Sequence, residues 1–351
     1  MSDLASRSVR IILESQASSG AYPACPVFPT YHYSWFRDGA FIAYAMDLVG
    51  EHDSAKRFHE WAAATIVSRA ELVERAVVKA RSGNRPAPGD LLHTRYALNG
   101  EPADGGDWPN FQLDGFGTWL WAVGQHVERS SSNWSESLQA ASQLTADYLK
   151  ALWRFPCYDC WEEFPGQIHP YTLAAIEAGL RAHERLASSD HEEELLGIRQ
   201  CLHQESVFEG AFVKSIGRTD VDASLVGLAT PYDVVEPDDP RMLKTVARIE
   251  HDLVGQGGVH RYAKDTYYGG GEWVLLTAWL AWHYRVLDRK ADAESLLAWI
   301  EHQADKQGQL PEQVATDLIA PSYYPIWVER WGPVASPLLW SHAMYLIARS
   351  A

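Results

Sequence analysis

Apolar residues recur at helical spacing along nearly the whole chain. Phe41, Ala45 and Leu48 share one face, and Gly50 follows them as a stop. Leu173, Ile176 and Leu180 repeat in the same way after Pro170. Met242, Val246, Ile249 and Leu253 follow Asp239-Pro240, an N-cap with proline at the first helical position. Residues 273–287 (WVLLTAWLAWHYRVL) are apolar nearly all round, which marks a helix buried on every side. Runs that alternate as strands do are missing. The pattern predicts helices near 3–17, 39–50, 54–80, 112–128, 135–153, 170–187, 191–207, 220–230, 240–254, 272–288, 290–305 and 337–349.

The connections alternate in length. Long segments rich in Gly, Pro and aromatic residues lie near 18–38, 81–111, 154–169, 208–219, 255–271 and 306–336, with short ones between them. If successive helices run antiparallel, every long connection falls at one end of the molecule. Six hairpins with six long loops on one face predict an all-α fold, an (α/α)6 barrel of six inner and six outer helices. No linker or low-complexity tract interrupts the 351 residues, which read as a single domain, 1–351.

Charge narrows the partners. The formal net charge is −16 and no Lys/Arg-rich run appears, which argues against nucleic acid and against an anionic membrane surface. The start, MSDLASRSVRIILESQ, lacks the apolar stretch of a signal peptide, and no run approaches 18 apolar residues. A cytoplasmic location is expected. Cys157 and Cys160 form one C-x-x-C, without the second ligand pair of a structural zinc site or the βαβ setting of a redox motif. All four cysteines are expected to be buried, reduced thiols.

Aromatic residues change the picture more. Fifteen Trp and sixteen Tyr could fill a large core, but many lie in the long segments, where rings more often face a ligand. In YHYSWFRDGA (31–40), Arg37 and Asp38 sit beside Tyr31 and Trp35 just before a helix. Asp38 could simply cap that helix and Arg37 pair with a surface acid. Together they could also clamp a sugar, Arg donating to hydroxyls and Asp accepting from them. WPNFQLDG (108–115) brings Trp108, Gln112 and Asp114. YDCWEEFPG (158–166) sets Glu162 and Glu163 after Trp161. Adjacent acids are usually a solvated face, but a carboxyl beside a Trp in a pocket holds its proton towards neutrality. VHRYAKDTYYGGGEW (259–273) alternates Arg261 and Asp265 with aromatic rings and ends on Trp273. LPEQ (310–313) carries Glu312. On chemistry alone Asp114, Asp265 and Asp317 compete with Glu312 for one role.

Carboxylates and aromatics thus recur in five of the six loops expected to share a face. Glycoside hydrolysis needs two carboxyl groups across a cleft, with rings to stack on sugar. The G-x-S-x-G elbow, the Walker loop, H-E-x-x-H and a strand-borne G-x-G-x-x-G are all missing.

At these residues the sequence resembles the glucoamylase family, the family 15 glycoside hydrolases. YHYSWFRDGA, WPNFQLDG, YDCWEE, RYAKDTYYGGGEW, LPEQ and LLWSHA follow family order over residues 30 to 349. DASLVGL (222–228) and EPDDPR (236–241) are similar to the bacterial branch. The resemblance implies an (α/α)6 catalytic domain acting without metal or cofactor, which releases β-glucose from the non-reducing end of α-glucosides. It implies Glu162 as general acid and Glu312 as general base. Tyr31, Trp35, Arg37, Asp38, Trp108, Trp161, Glu163, Arg261, Trp273 and Trp340 would bind substrate. Pro311 and Asn110 depart from the fungal pattern, and there is no room for the N-terminal β-sandwich or starch-binding module that some members carry. A short oligosaccharide, isomaltose or a maltooligosaccharide, is therefore expected in place of starch. A trehalase of the same family and a non-catalytic sugar binder are the alternatives. Both glutamates being present argues against the binder.

Overall fold

A computed structural model describes residues 3–103, 108–130 and 134–351. In chain order its α-helices are α1 (Asp3–Ser15), α2 (Phe36–Leu48), α3 (His52–Val67), α4 (Ala70–Arg81), α5 (Asp114–Ser130), α6 (Glu136–Leu152), α7 (Pro170–Ala187), α8 (Glu192–Glu205), α9 (Pro240–Leu253), α10 (Val274–Val286), α11 (Lys290–Gln303), α12 (Tyr324–Trp331) and α13 (Leu339–Ser350). Helices α2, α5 and α7 pack side by side. A short 3-10 helix, Ala223–Leu228, continues the ring to α10, and α13 closes it between α10 and α2. Outside stand α1, α3, α6, α8, α9 and α11. The (α/α)6 barrel is therefore present.

Burial explains which helix goes where. Along α2 every residue from Phe36 to Asp47 is buried, and along α10 every residue from Val274 to Tyr284. A helix without a polar face can only stand inside. By contrast α9 buries one stripe, Met242, Thr245, Val246, Ile249 and Leu253, and stands outside. Helices α5 and α7 approach until backbones touch. A Cβ on Gly117 would lie 2.5 Å from the Ala175 carbonyl oxygen, and one on Gly179 2.4 Å from that of Gly117.

Three expectations need correction. The region 54–80 is two helices, because the chain turns at Ser68–Arg69. There Ser68 Oγ and Arg69 Nη1 donate to the Thr65 carbonyl, at 3.0 and 2.7 Å, and Arg69 Nη2 reaches Gly100 O at 2.7 Å. The region 220–230 is the 3-10 helix, capped by Asp222 and thinned at Gly227, where a Cβ would come within 2.9 Å of the Tyr171 ring. Pro231 prevents its continuation. The long segment 306–336 holds α12. In addition, α2 starts at Phe36, three residues before the expected 39, so Arg37 and Asp38 sit in its first turn.

Short strand pairs lock the long segments together. β1 (Ser34–Trp35) pairs with β2 (Arg95–Tyr96), joining the first segment to the second. β3 (Val207–Phe208) and β4 (Ala211–Phe212) form a hairpin in the fourth. β5 (Glu272–Trp273) pairs with β6 (Gln313–Val314), joining the fifth to the sixth. At the seam of the ring, Leu339 N–H donates to Ala24 O at 3.0 Å. Among the described residues no helix is long and apolar enough to cross a membrane.

Candidate active site

The long segments enclose a pocket of about 350 Å³. Ligand pockets run from roughly 300 to 1,000 Å³, so this one suits a small molecule. All the site residues expected from the sequence line it: Tyr31, Trp35, Arg37, Asp38, Trp108, Trp161, Glu162, Glu163, Arg261, Trp273, Glu312 and Trp340. The competing carboxylates do not. Asp114 is fully buried behind the wall, accepting from Arg37 Nη1 at 3.1 Å. Asp265 is equally buried, holding Arg261 in a two-point pair through Nε at 2.7 Å and Nη2 at 2.5 Å. Asp317 lies 3.7 Å from His260, off the pocket.

Each polar group is fixed by its neighbours. Arg37 Nη1 also donates to Gln112 Oε1 at 3.0 Å, and its Nε stands 3.5 Å from Asp38 Oδ2. Its guanidinium lies 5.3 Å from the Trp340 ring. Burial pushes the Asp38 carboxyl up to about 6 even though Arg37 pulls it down. The Arg261 guanidinium sits among Trp161, Tyr267 and Trp273, 3.8 Å from Glu163 Oε1. Tyr262 donates to Glu163 Oε2 at 2.5 Å.

The two glutamates differ in setting. Glu162 is held in the left-handed backbone region, φ 67°, which is costly for a residue with a side chain. Its Oε1 accepts from Trp35 Nε1 at 2.6 Å. Burial raises its pKa, against the pull of Arg37 and the Trp35 hydrogen bond. Glu312 precedes β6, with its amide donating to Ala335 O at 2.9 Å and its carbonyl accepting from Val274 N–H at 3.1 Å. Burial pushes it up to about 8, while Arg261 and a hydrogen bond from Tyr31 act the other way. Tyr31 in turn shares a 2.5 Å hydroxyl contact with Tyr267.

Among the described residues, buried polar atoms of the pocket wall that make no hydrogen bond within the protein include Asp38 Oδ2, Glu312 Oε2 and the indole nitrogens of Trp273 and Trp340. Groups of this kind are costly unless a ligand or water engages them. They present acceptors and donors around one small space, as a hydroxyl-rich ligand requires.

Sequence reasoning missed part of the lining. Tyr267, Trp327, Arg330 and Trp331 also face the pocket. Trp331 stacks near Trp108, with centroids 6.3 Å apart and planes 20° apart, and Trp327 Nε1 donates to Thr266 O at 3.0 Å. The aromatic pair at i and i+4 in YPIWVERW was the available signal. Cys160 lines the pocket as well. Burial raises its thiol and that of Cys157, and both cysteines are free and buried, as are Cys25 and Cys201. Two groups among the described residues have the donor types of a metal site, Asp47/His59/His126 and His260/Glu272/Asp317. None of these residues lines the pocket.

The chain is 41% identical over 354 residues to the isomaltose glucohydrolase of Kribbella flavida, covering 98% of this chain and 91% of that protein. A glycosidase variant solved in complex with glucose superposes with a TM-score of 0.94 at 41% identity, covering 99% of this chain and 95% of that one. The glucoamylase of Hormoconis resinae shares the fold, with a TM-score of 0.71 at 17% identity over 99% of this chain and 73% of its own. The family model of the glycosyl hydrolases family 15 matches residues 3–311, and the chain belongs to that family of glycoside hydrolases.

Proposed function

We propose that the protein removes single glucose units from the non-reducing end of short α-glucosides, isomaltose above all, with inversion to β-glucose. The observation that carries this reading is the convergence of Glu162 and Glu312 on one small pocket with Arg37, Asp38 and Arg261. Isomaltose comes first because the relative that matches nearly end to end is named for it.

In this reading Glu162, protonated, gives its proton to the glycosidic oxygen as the bond from that oxygen to the anomeric carbon breaks. A water adds to the opposite face of that carbon and loses a proton to ionised Glu312. Burial favours the protonated form of Glu162. At Glu312 burial outweighs the opposing pull of Arg261 and Tyr31 and raises the carboxyl to about 8, so the ionised base accumulates as pH rises towards that value. Arg37 and Asp38 take hydroxyls of the terminal glucose. Trp35, Trp108 and Tyr31 wall its ring, with Trp340 near them. Glu163, Trp161, Arg261 and Trp273 take the leaving sugar. The 351 residues act as one catalytic domain, and no metal or organic cofactor enters the chemistry.

The test is proton NMR of the first anomer formed from isomaltose, maltose and trehalose in parallel. β-Glucose appearing first from isomaltose is the expected result. β-Glucose from trehalose alone would move the protein to the trehalases. First appearance of α-glucose would overturn inversion, and no product from any of the three would favour a sugar-binding role.

A further inference from the structure

The loop that carries Glu162 is anchored from beneath by a buried ion network outside the pocket. Asp159 accepts at Oδ1 from the backbone N–H of Trp161, at 3.0 Å, and of Glu163, at 2.8 Å. Its own carbonyl accepts from Glu162 N–H at 2.9 Å, and its N–H donates to Glu163 O at 2.9 Å. One carboxylate thus grips both residues that flank Glu162, whose backbone is in the strained left-handed region. The other oxygen of Asp159 accepts from Lys214 Nζ at 3.0 Å, and Lys214 donates at 2.5 Å to Asp222 Oδ2. Asp222 then accepts from the indole nitrogen of Trp161 at 3.1 and 3.0 Å. Lys214 and both aspartates are at most 3% exposed.

Burial pulls the Lys214 pKa down, but Asp222 and Asp159 outweigh it and hold it above the ordinary lysine value. The network closes a circuit: Lys214 to Asp159, Asp159 to the backbone around Glu162, Trp161 to Asp222, and Asp222 back to Lys214. Asp222 can complete it because this sector of the inner ring is a short 3-10 helix whose cap is Asp222 itself, with Ser224 N–H donating at 2.9 Å.

We propose that Lys214, with Asp159 and Asp222, is a positioning group for proton donation. It holds the Asp159–Glu163 turn in the strained form that aims the Glu162 carboxyl at the glycosidic oxygen. This rests on Glu162 being the general acid. A residue that only positions the acid matters when the leaving group needs a proton and not when it leaves unaided.

The experiment compares isomaltose with α-glucosyl fluoride, whose fluoride departs without protonation, for wild type and Lys214→Met at matched folded fraction. The expected result is a fall in kcat of at least tenfold on isomaltose with KM within about threefold, and a fall of less than threefold on the fluoride. Equal losses on both substrates, or no loss on either, overturns the proposal. If Lys214→Met does not fold, Asp222→Asn is measured instead. It keeps the shape of the side chain while weakening its hold on Lys214, and the same split is required. A wild type inactive on both substrates would instead sink the hydrolase reading itself, a result separate from any variant.

Discussion

Trp35 donates its indole N–H to Glu162 Oε1 at 2.6 Å, so a residue of the first long segment pulls against the burial that raises the pKa of a carboxyl in the third. A donor favours the ionised form and holds the pKa down. The Trp35→Phe variant removes the donor and leaves a ring. Glu162 then keeps its proton to higher pH, and the alkaline limb of kcat/KM moves upward. Hydrogen bonds to charged groups are worth about 1.5–3 kcal/mol, which corresponds to a shift of about one pH unit or more. A pH–rate profile on isomaltose checks this, and an unmoved limb would separate Trp35 from the acid.

Glu162→Gln and Glu312→Gln are close in shape to the wild-type side chains, and in the proposed mechanism each removes one proton-transfer group. Positioned acids and bases contribute typically 10²–10⁴-fold. Each variant is expected to lose about that much kcat on isomaltose, with KM changed by less than about fivefold. Near-native turnover in either would unseat that residue.

Glu312 also carries a cost in stability. Its pKa is raised when folded, to about 8, from an ordinary glutamate value of about 4.3. A raised carboxyl contributes stability below its unfolded pKa and loses it as pH rises through the folded one. Wild type should therefore lose stability relative to Glu312→Gln between about pH 4.3 and pH 8. Chemical denaturation of both proteins at pH 5 and pH 8 reads the difference. Equal shifts in the two would mean that Glu312 does not titrate in this range. The same displacement places the acid limb of kcat/KM well above the usual carboxylate range.

Gly117→Ala tests the α5–α7 contact. The added methyl would sit 2.5 Å from the Ala175 carbonyl oxygen, against backbone that cannot swing aside. Overpacking costs typically 1–3 kcal/mol, and occasionally more. A lowered denaturation midpoint is expected, whereas Gly83→Ala, where the methyl meets nothing but φ is +80°, should cost less.

The lining of the pocket was legible in the sequence because it is built from connected clusters. Trp161, Glu162 and Glu163 are neighbours in the chain, as are Arg37 and Asp38, and rings beside charges stand out in a loop. Lys214 was not legible. It is an isolated lysine whose partners lie 55 residues before it and 8 after, and only the fold brings them together. Helix α12 was hidden by its length of eight residues and by Pro325 near its start. The short inner element at 223–228 was expected as an α-helix because SLVGL is as apolar as its neighbours. Periodicity cannot see that Tyr171 leaves no room beside Gly227.

Ring closure by α13 gives the chain an order of competence. Trp340, on the last helix, lies against Arg37 from the first inner helix, and Leu339 is bonded to Ala24. Both glutamates precede that helix in the chain, so they exist in a growing polypeptide well before their chamber does. Until α13 seats between α10 and α2, the pocket lacks one wall and Arg37 one of its faces. Hydrolysis is thus expected of the closed circle alone, and turnover would then report that the final turn of the barrel has been made.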